Sequence, residues 1–310
     1  MTRGPLLGHR AVFALLPLVA LLLAPAAGCG EQPAATAPPA ASDSHPALFF
    51  DEPTFYSAVR AAESAPVPEG PVAGGIIPHH LLVEDMITSF FRGLALEDPP
   101  ETVVLIGPNH DNEGTARVLT SDLPWTTPFG PVEPAQEWVH VLTESGLAKV
   151  ESPVLTTEHS VAGIMPALKY YLPEARVVPL ILSGDLSPAE AQRLGDALVA
   201  QSDEDTVIVA AVDFSHYLVS AEARRRDAVS LEALQAFDAA TLFTLDNGYL
   251  DSPPSIAVLL AAMTTVDAEF VLLDNTNSGA LKGDELAPTT SYILGYYRPS
   301  IPAGEARAGD

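Results

Sequence analysis

The sequence predicts an α/β fold with a central, mostly parallel or mixed sheet and helices on both faces. Two observations support this fold class. The predicted strands are nearly continuous apolar runs, which is the pattern of strands buried on both sides of a sheet. Helical segments separate these runs, so that successive strands can lie parallel. The chain has 310 residues, of which 47% are hydrophobic, and this is enough for one large α/β domain or two small ones.

The predicted elements follow one another along residues 47–300, the range that we assign to the folded domain. The predicted strands are "VAGGIIP", "ETVVLIGP", "RVVPLIL", "DTVIVAAVD", "FVLLDNTNSG" and "TTSYILGYY". The predicted helices are "PTFYSAVRAAESA", residues 82–96, "PAQEWVHVLTESG", "VAGIMPALKYYLP", "SPAEAQRLGDALVAQ", "AEARRRDAVSLEALQAF" and "SIAVLLAAMTTV". Helical spacing of apolar residues, as at Phe55 and Val59, indicates these helices. Ser187 and Glu190 form a capping-box pattern, and Pro166 predicts a helix that bends or begins late.

Residues 1–28 are predicted to be a lipoprotein signal peptide. Arg3 and Arg10 precede an apolar run at about 11–23, and small residues follow up to Cys29. The run is shorter than the ~20 apolar residues of a membrane-spanning helix. The stretch "AAGC" resembles a bacterial lipobox, which implies cleavage before Cys29 and attachment of a lipid to its sulfur. The alternative is an ordinary signal peptide with a chance cysteine, but Cys29 is the only cysteine in the chain and has no partner for an intramolecular disulfide.

The segments that flank the domain, and the overall charge, limit the partners of the protein. Residues 29–46 are rich in Ala, Pro, Ser and Thr and are predicted to be a flexible linker after the lipidated cysteine, and residues 301–310 a tail. We therefore expect a protein of the bacterial cell envelope, attached to the membrane by its N-terminal lipid and lying outside the cytoplasm.

A net charge of −25 repels phosphate backbones and argues against nucleic-acid binding.

Histidines and acidic residues recur where predicted strands end. These residues are His79 and His80 after the first strand, Asn109 and His110 after the next, Glu158 and His159 ahead of an apolar helix, and Asp213 and His216 after a later strand. Strand ends are the usual ligand site of such sheets, and neutral imidazole binds iron, zinc and copper. Any one of these residues could be an ordinary loop residue, and Asp213 could cap a turn, but their recurrence predicts a metal site.

The motifs "PHH", "GPNH", "EHS" and "DFSH", in this order and spacing, resemble those of the MEMO family, whose bacterial and archaeal members are called AmmeMemoRadiSam system protein B. The resemblance extends over residues 47–297. It implies the fold of the LigB-type, class III extradiol dioxygenases, which use non-haem Fe(II). It also implies that His79 and His110 bind a metal, and that Asp213 and His216 are a polar pair beside it. His216 would be an acid/base group, and His159 matches a third histidine loop of the family.

The third metal ligand is where this chain departs from the family. The animal proteins have a cysteine shortly before an apolar helix, and here Asp251 occupies that position. With His79 and His110 it would form a 2-His-1-carboxylate triad, which suits Fe(II) with open positions or Zn²⁺ with an activated water. The alternative is that Asp251 caps the following helix. His80 also departs from the family motif, so that it either points away from the metal or enlarges the set of ligands.

The leading functional expectation is a metal-binding, iron-dependent oxidoreductase, similar to a dioxygenase, that acts outside the cytoplasm. It would bind O₂ and a small organic substrate at the triad, with His216 moving a proton. One alternative is a metal-assisted hydrolase. Another is a lipoprotein without catalytic activity that binds a metal or a partner. His80, Asn109 and Glu158 are further candidates for the pocket.

Overall fold

The structure is a computed structural model and describes residues 43–300. The predicted signal peptide, Cys29, most of the predicted linker and the tail lie outside the described residues. The strands are β1 (Gly74–Ile77), β2 (Thr102–Pro108), β3 (Val118–Thr120), β4 (Lys149–Val150), β5 (Arg176–Leu182), β6 (Thr206–Ala211), β7 (His216–Leu218), β8 (Ala268–Asn277) and β9 (Thr289–Pro299). The helices are α1 (Glu52–Ala62), α2 (Glu84–Leu96), α3 (Gln136–Glu144), α4 (Ser152–Thr157), α5 (His159–Ala162), α6 (Met165–Tyr171), α7 (Pro188–Gln201), α8 (Ser220–Gln235), α9 (Ala239–Leu242), α10 (Pro253–Thr265) and α11 (Ser278–Lys282).

The strands form one mixed sheet, in the order β4-β3-β5-β2-β6-β1-β9-β7, with β8 paired to β9. The central strands β5, β2, β6 and β1 are parallel, whereas β9 runs antiparallel to β1, β7 and β8. The predicted α/β class with a mixed sheet is confirmed. Because parallel strands end at the same edge of a sheet, the loops after β1, β2 and β6 lie side by side.

Helices cover both faces of this sheet. In β2, Val104 and Ile106 face one hydrophobic cluster, which α3, α7 and α10 complete. Val103 and Leu105 face a second cluster, which α1, α2 and α6 complete. Successive strand residues point to opposite faces, so a strand buried on both sides must be apolar at every position. This explains the continuous apolar runs of the sequence.

The apolar stretch around Pro166 forms two helices rather than one. Helix α5 ends at Ala162, and α6 begins at Met165 with Pro166 in its first turn. A proline is tolerated there because the first N–H groups of a helix have no partner within the helix. The predicted capping box of α7 is present: Ser187 accepts from the Glu190 N–H, and the Glu190 carboxylate accepts from the Ser187 N–H.

The packed chain begins earlier than the predicted boundary at residue 46. His45 is 1% exposed and stacks on Trp125 with ring centroids 3.9 Å apart. Its Nδ1 lies 2.8 Å from Thr156 Oγ1 and its Nε2 lies 2.7 Å from Ser121 Oγ. The end of the predicted linker is therefore part of the fold, because the His45 ring contacts the hydroxyl groups of Thr156 and Ser121. Along residues 43–300, no helix combines the length and the apolar character that a membrane span requires.

This packing of His45 makes stability depend on pH. Burial lowers the pKa of His45 from its usual 6.5 to about 4, although Asp122 opposes the shift. Below pH 6.5 the unfolded chain therefore takes up a proton that the folded chain refuses, and stability falls as the pH falls toward 4. One pKa unit corresponds to about 1.4 kcal/mol, so the loss at pH 4 should be about 3 kcal/mol.

We expect His45→Gln to be less stable than the wild type at pH 7.5, and this difference to shrink by about 3 kcal/mol at pH 4. Urea unfolding followed at several pH values measures it. His140→Gln, which replaces an exposed histidine of α3, is the matched control and should follow the wild-type profile. A difference between His45→Gln and the wild type that stays constant with pH would contradict this account.

Candidate metal centre

The sheet order brings the predicted histidine and aspartate residues together. His79 follows β1, His110 follows β2 and Asp213 follows β6, and these three strands are neighbours in the order β2-β6-β1. Asp251 comes from the turn before α10, and this turn is held to the same edge by a hydrogen bond from the Asp251 N–H to the Asp213 carbonyl (3.1 Å). Residues far apart in the sequence thus share one site.

His79 is fixed with one ring nitrogen turned toward the acidic residues. Its Nδ1 lies 3.1 Å from the Ala211 carbonyl, so that Nδ1 carries the proton and Nε2 keeps a free lone pair. Nε2 lies 3.3 Å from Asp251 Oδ2 and 3.8 Å from Asp213 Oδ2. The His79 N–H also donates to Asp213 Oδ1 at 3.0 Å. The ring is 3% exposed and has little freedom to turn.

His110 is held in the same way by Glu158. Its Nδ1 lies 2.9 Å from Glu158 Oε1, and its backbone N–H donates to Oε2 at 2.9 Å. Nε2 is then directed at Asp251 Oδ2, 3.8 Å away. Burial alone would lower the pKa of His110, but the carboxylates of Asp251 and Glu158 outweigh burial and raise it to about 10. Positive charge is therefore strongly favoured at this ring.

Glu158 is a buried carboxylate with every contact directed at this site. Its side chain also accepts from the Ser160 N–H at 3.0 Å, which caps the short helix α5. Burial would raise the pKa of Glu158, but the hydrogen bonds from His110 and Ser160 lower it to about 2. Glu158 was predicted as a pocket candidate. In the structure, its carboxylate fixes the orientation of the His110 ring.

Asp251 does not cap α10, which was the alternative to a ligand role. The cap is Ser252, whose hydroxyl accepts from the Ser255 N–H at 3.2 Å. The Asp251 carboxylate instead turns toward the histidines, where Oδ2 also accepts from the Asp213 N–H at 3.3 Å. Its Oδ1 is buried and has no hydrogen-bond partner in the described part of the chain. A bound ion or a bound water would satisfy a carboxylate oxygen in this condition.

His159 lies on the outer side of the cluster. Its ring stacks on that of His110 with centroids 4.3 Å apart, and its centroid lies 5.2 Å from that of His79. Burial, and then the nearby His79 and His110, lower the pKa of His159 to about 4. The ring is therefore neutral at physiological pH and is able to bind a metal.

Two groups of three residues have ligand atoms within 4.8 Å of one another: His79, His110 and His159 form one group, and His79, Asp213 and Asp251 form the other. The predicted triad of His79, His110 and Asp251 is neither of these groups, and it shares two residues with each. Asp213 is a member of the second group, although it was predicted to lie beside the metal rather than to bind it. Burial raises the pKa of Asp213, while His79 opposes the shift.

His216 and His80 are in neither group. His216 begins β7, and its Nδ1 is buried without a hydrogen-bond partner in the region that the structure describes. The His80 Nδ1 lies 2.6 Å from the Tyr292 hydroxyl, on the side of β9. Asn109 is not turned toward the site: its side-chain amide pairs with the Glu113 backbone at 2.7 and 3.1 Å and closes the loop after β2.

A sequence profile described as "Memo-like protein" matches residues 59–293. The chain belongs to the Memo family. A MEMO1 family protein of Methanopyrus kandleri is 32% identical over 216 residues, which cover 66% of this chain and 74% of that protein. A MEMO1 family protein of Pyrobaculum aerophilum is 27% identical over 242 residues, or 74% of this chain and 85% of that protein. A crystal structure of an uncharacterized protein from Escherichia coli K12 is similar at a TM-score of 0.46 and 13% identity, covering 72% of this chain and 99% of that chain.

The family match includes all the residues of the candidate metal centre of this Memo-family chain. Two buried residues that sequence reasoning missed also bear on the site. Tyr292 of β9 contacts His80. Asp227 of α8 accepts hydrogen bonds from Ser215 (2.7 Å) and Ser291 (2.6 Å) and so holds the loop between Asp213 and His216. Asp227 lies in a charged helical stretch, and the sequence offered no sign that this one acidic residue is buried.

Proposed function

We propose that His79, His110 and Asp251 bind one divalent metal ion. The observation that carries the proposal is the position of Asp251 Oδ2, 3.3 Å from His79 Nε2 and 3.8 Å from His110 Nε2. Two ligand atoms that each lie about 2.1 Å from one ion are separated by at most about 4.2 Å. The carboxylate oxygen is therefore close enough to each of the two histidine nitrogens to share an ion with it.

The hydrogen bonds behind the ligands support the same proposal. Each histidine donates its Nδ1–H to an oxygen, Ala211 O for His79 and Glu158 Oε1 for His110. This arrangement leaves Nε2 free in both rings, and metal-binding histidines are generally oriented in this way. A cation would also give the buried Asp251 Oδ1 a partner, and it would replace the proton that the carboxylates favour on His110.

Fe(II) is the metal that we propose. Two histidines and one carboxylate are a common ligand set for non-haem Fe(II), and bound Fe(II) would supply open positions for O₂ and a small organic substrate. The proposed activity is that of an oxidoreductase, by analogy with the dioxygenases whose fold the family resembles.

The residues around the ion have distinct proposed roles. His216 would exchange a proton with the substrate through its ring, whose Nδ1 has no protein partner within residues 43–300. Asp213 would hold the His79 backbone through the 3.0 Å hydrogen bond to its N–H. Glu158 would keep His110 in its metal-binding orientation.

A second candidate function is metal-assisted hydrolysis with Zn²⁺. The observation that favours it is the group of His79, His110 and His159, because three histidines are a frequent ligand set of catalytic zinc sites. Asp251 would then serve as a base rather than a ligand. A protein that binds the metal without catalysis is the third candidate. The substrate probes that separate them are O₂ consumption for the first and ester hydrolysis for the second.

We expect His79→Ala, His110→Ala and Asp251→Ala each to lower metal affinity at least tenfold, because each change removes one protein ligand. Asp251→Cys should restore binding and shift the preference toward softer metals. Metal content after anaerobic purification without a His tag, measured by mass spectrometry, is the readout.

Two variants serve as controls for this prediction. Ser252→Ala removes the cap of α10 and should cost about 1 kcal/mol of stability while leaving the metal content unchanged. His216→Ala should also retain the metal but lose any turnover. If Asp251→Ala keeps a full complement of metal and His159→Ala loses it, the three-histidine site replaces the triad.

The proposed location is the cell envelope, with Cys29 as the lipidated N-terminus. The support is the lipobox pattern and the presence of a single cysteine. Cys29→Ser should move the protein from the membrane to the soluble fraction, since one lipid-modified residue is the only predicted anchor. Membrane fractionation with a high-salt wash measures this, and a Cys29→Ser protein that still sediments with membranes would refute the lipoprotein assignment.

A further inference from the structure

His80, which the metal centre does not use, belongs to a second polar cluster beside it. Three neighbouring strand segments supply this cluster. His80 follows β1, Tyr292 lies in β9, and His216 begins β7. Strand β9 pairs with both β1 and β7. His216 pairs with Thr290, and Tyr292 lies two residues further along the same strand. Residues two apart on a strand share a face, so Tyr292 and His216 are on the same side of the sheet.

The contact with Tyr292 determines which nitrogen of the His80 ring carries the proton. Tyr292 is 0% exposed, and its hydroxyl lies 2.6 Å from His80 Nδ1. We assign the hydroxyl hydrogen of Tyr292 to this contact, so that Tyr292 donates and Nδ1 accepts, and Ser278 is a further side-chain partner of the hydroxyl. In a neutral imidazole the other nitrogen then carries the proton. His80 Nε2–H is therefore a donor, and it belongs to a residue at the surface.

Two further polar side chains, those of Lys282 and His216, come from segments that lie against β9 in this strongly acidic protein. Lys282 lies in α11, and the first residue of this helix, Ser278, has its hydroxyl 2.7 Å from Thr289 Oγ1 of β9. Lys282 ends α11 and makes no ion pair with a carboxylate within residues 43–300, although the chain has 40 acidic residues against 15 basic ones. His216 Nδ1 likewise has no partner there. An incoming anion would be attracted to Lys282 and would accept hydrogen bonds from imidazole N–H groups.

Asp213 is the acidic group that faces the cluster, and it is already engaged. Its Oδ1 accepts the His79 N–H at 3.0 Å, Oδ2 lies 3.8 Å from His79 Nε2, and the side chain is 5% exposed. Its carboxylate is therefore directed at His79, a residue of the candidate metal centre. At the outer side, the ring of Tyr217 is next to that of His216, with centroids 5.8 Å apart, and is 81% exposed. It offers an apolar surface for the body of a ligand.

We propose that His80, His216 and Lys282, with Tyr292 orienting His80, bind an oxyanion group, a carboxylate or a phosphate, of the molecule on which the metal centre acts. We call these four residues the oxyanion subsite. This inference rests on the proposed metal function, because it gives that site a substrate class. It also accounts for the two adjacent histidines after β1: His79 turns toward the metal and His80 toward the substrate.

Binding of small probes to the full-length protein in detergent, with Zn²⁺ bound, tests the oxyanion subsite. Benzoate and phenyl phosphate carry the two candidate oxyanions, and benzamide is a neutral molecule of the same shape as benzoate. By calorimetry we expect at least one of the anions to bind about tenfold more tightly than benzamide, since hydrogen bonds to charged groups are stronger than neutral ones. Comparison of the two anions distinguishes carboxylate from phosphate.

Variants assign that binding to the subsite. His80→Ala should weaken anion binding about tenfold and leave benzamide binding and metal content unchanged. His80→Gln keeps a donor near the position of Nε2 and should recover part of the affinity. Tyr292→Phe keeps the packing but removes the orienting hydroxyl, and should weaken anion binding severalfold without loss of metal. His140→Ala, at an exposed position of α3, should match the wild type.

Two results would overturn the subsite. One is equal affinity for benzamide and both anions, and the other is unchanged anion affinity in His80→Ala, as expected if the anions simply coordinate the metal. The same titrations on chelator-treated protein separate this inference from the proposed function. A protein that binds no metal disproves the metal centre, whereas metal binding without His80-dependent anion binding disproves the subsite alone.

Discussion

The candidate metal centre depends on one buried contact, between Asp251 Oδ2 and His79 Nε2 at 3.3 Å. A carboxylate with little exposure is costly unless a positive group or several hydrogen bonds compensate it. Asp251 receives only part of that compensation from the protein, because Oδ1 has no hydrogen-bond partner among residues 43–300. The geometry of His79, His110 and Asp213 around this carboxylate is what a divalent cation would complete.

The sheet makes this contact possible. Strands β2, β6 and β1 are adjacent and parallel, so their carboxyl ends deliver His110, Asp213 and His79 to one edge. The antiparallel strand β9 then adds Tyr292 on the far side of β1. The two proposed sites thus lie at one edge of the mixed sheet: the proposed metal ligands follow the parallel strands, and the proposed oxyanion subsite lies at the junction with β9 and β7.

Much of this architecture was predictable from the sequence. The buried strands are continuous apolar runs. This pattern alone predicts how many strands lie in the centre of the sheet and which motifs follow them. Short elements were missed, among them β3, β4 and β7, because two or three residues carry no periodicity. His216 was expected in a loop, but it begins β7. The short antiparallel pairing of β7 with β9 fixes its position.

Other parts of the site required three-dimensional information. Asp251 and Ser252 are both good capping residues, and the sequence does not say which of them turns back onto α10. The capping by Ser252 frees Asp251 for the histidines. The partner of His80 lies 212 residues away in the sequence, and no local pattern connects them. His45 was assigned to the linker because its neighbours are small and polar, although it packs against Trp125.

The central claim is that Asp251, and not His159, completes the metal site with His79 and His110. An anaerobic crystal structure of the Fe(II)-loaded protein, with the ion located by anomalous scattering, tests it most directly. The account predicts an ion bonded to His79 Nε2, His110 Nε2 and a carboxylate oxygen of Asp251 at roughly 2.0–2.2 Å, with the His159 ring outside bonding distance. An ion bonded to His79, His110 and His159, with the Asp251 carboxylate turned away from it, would contradict the account.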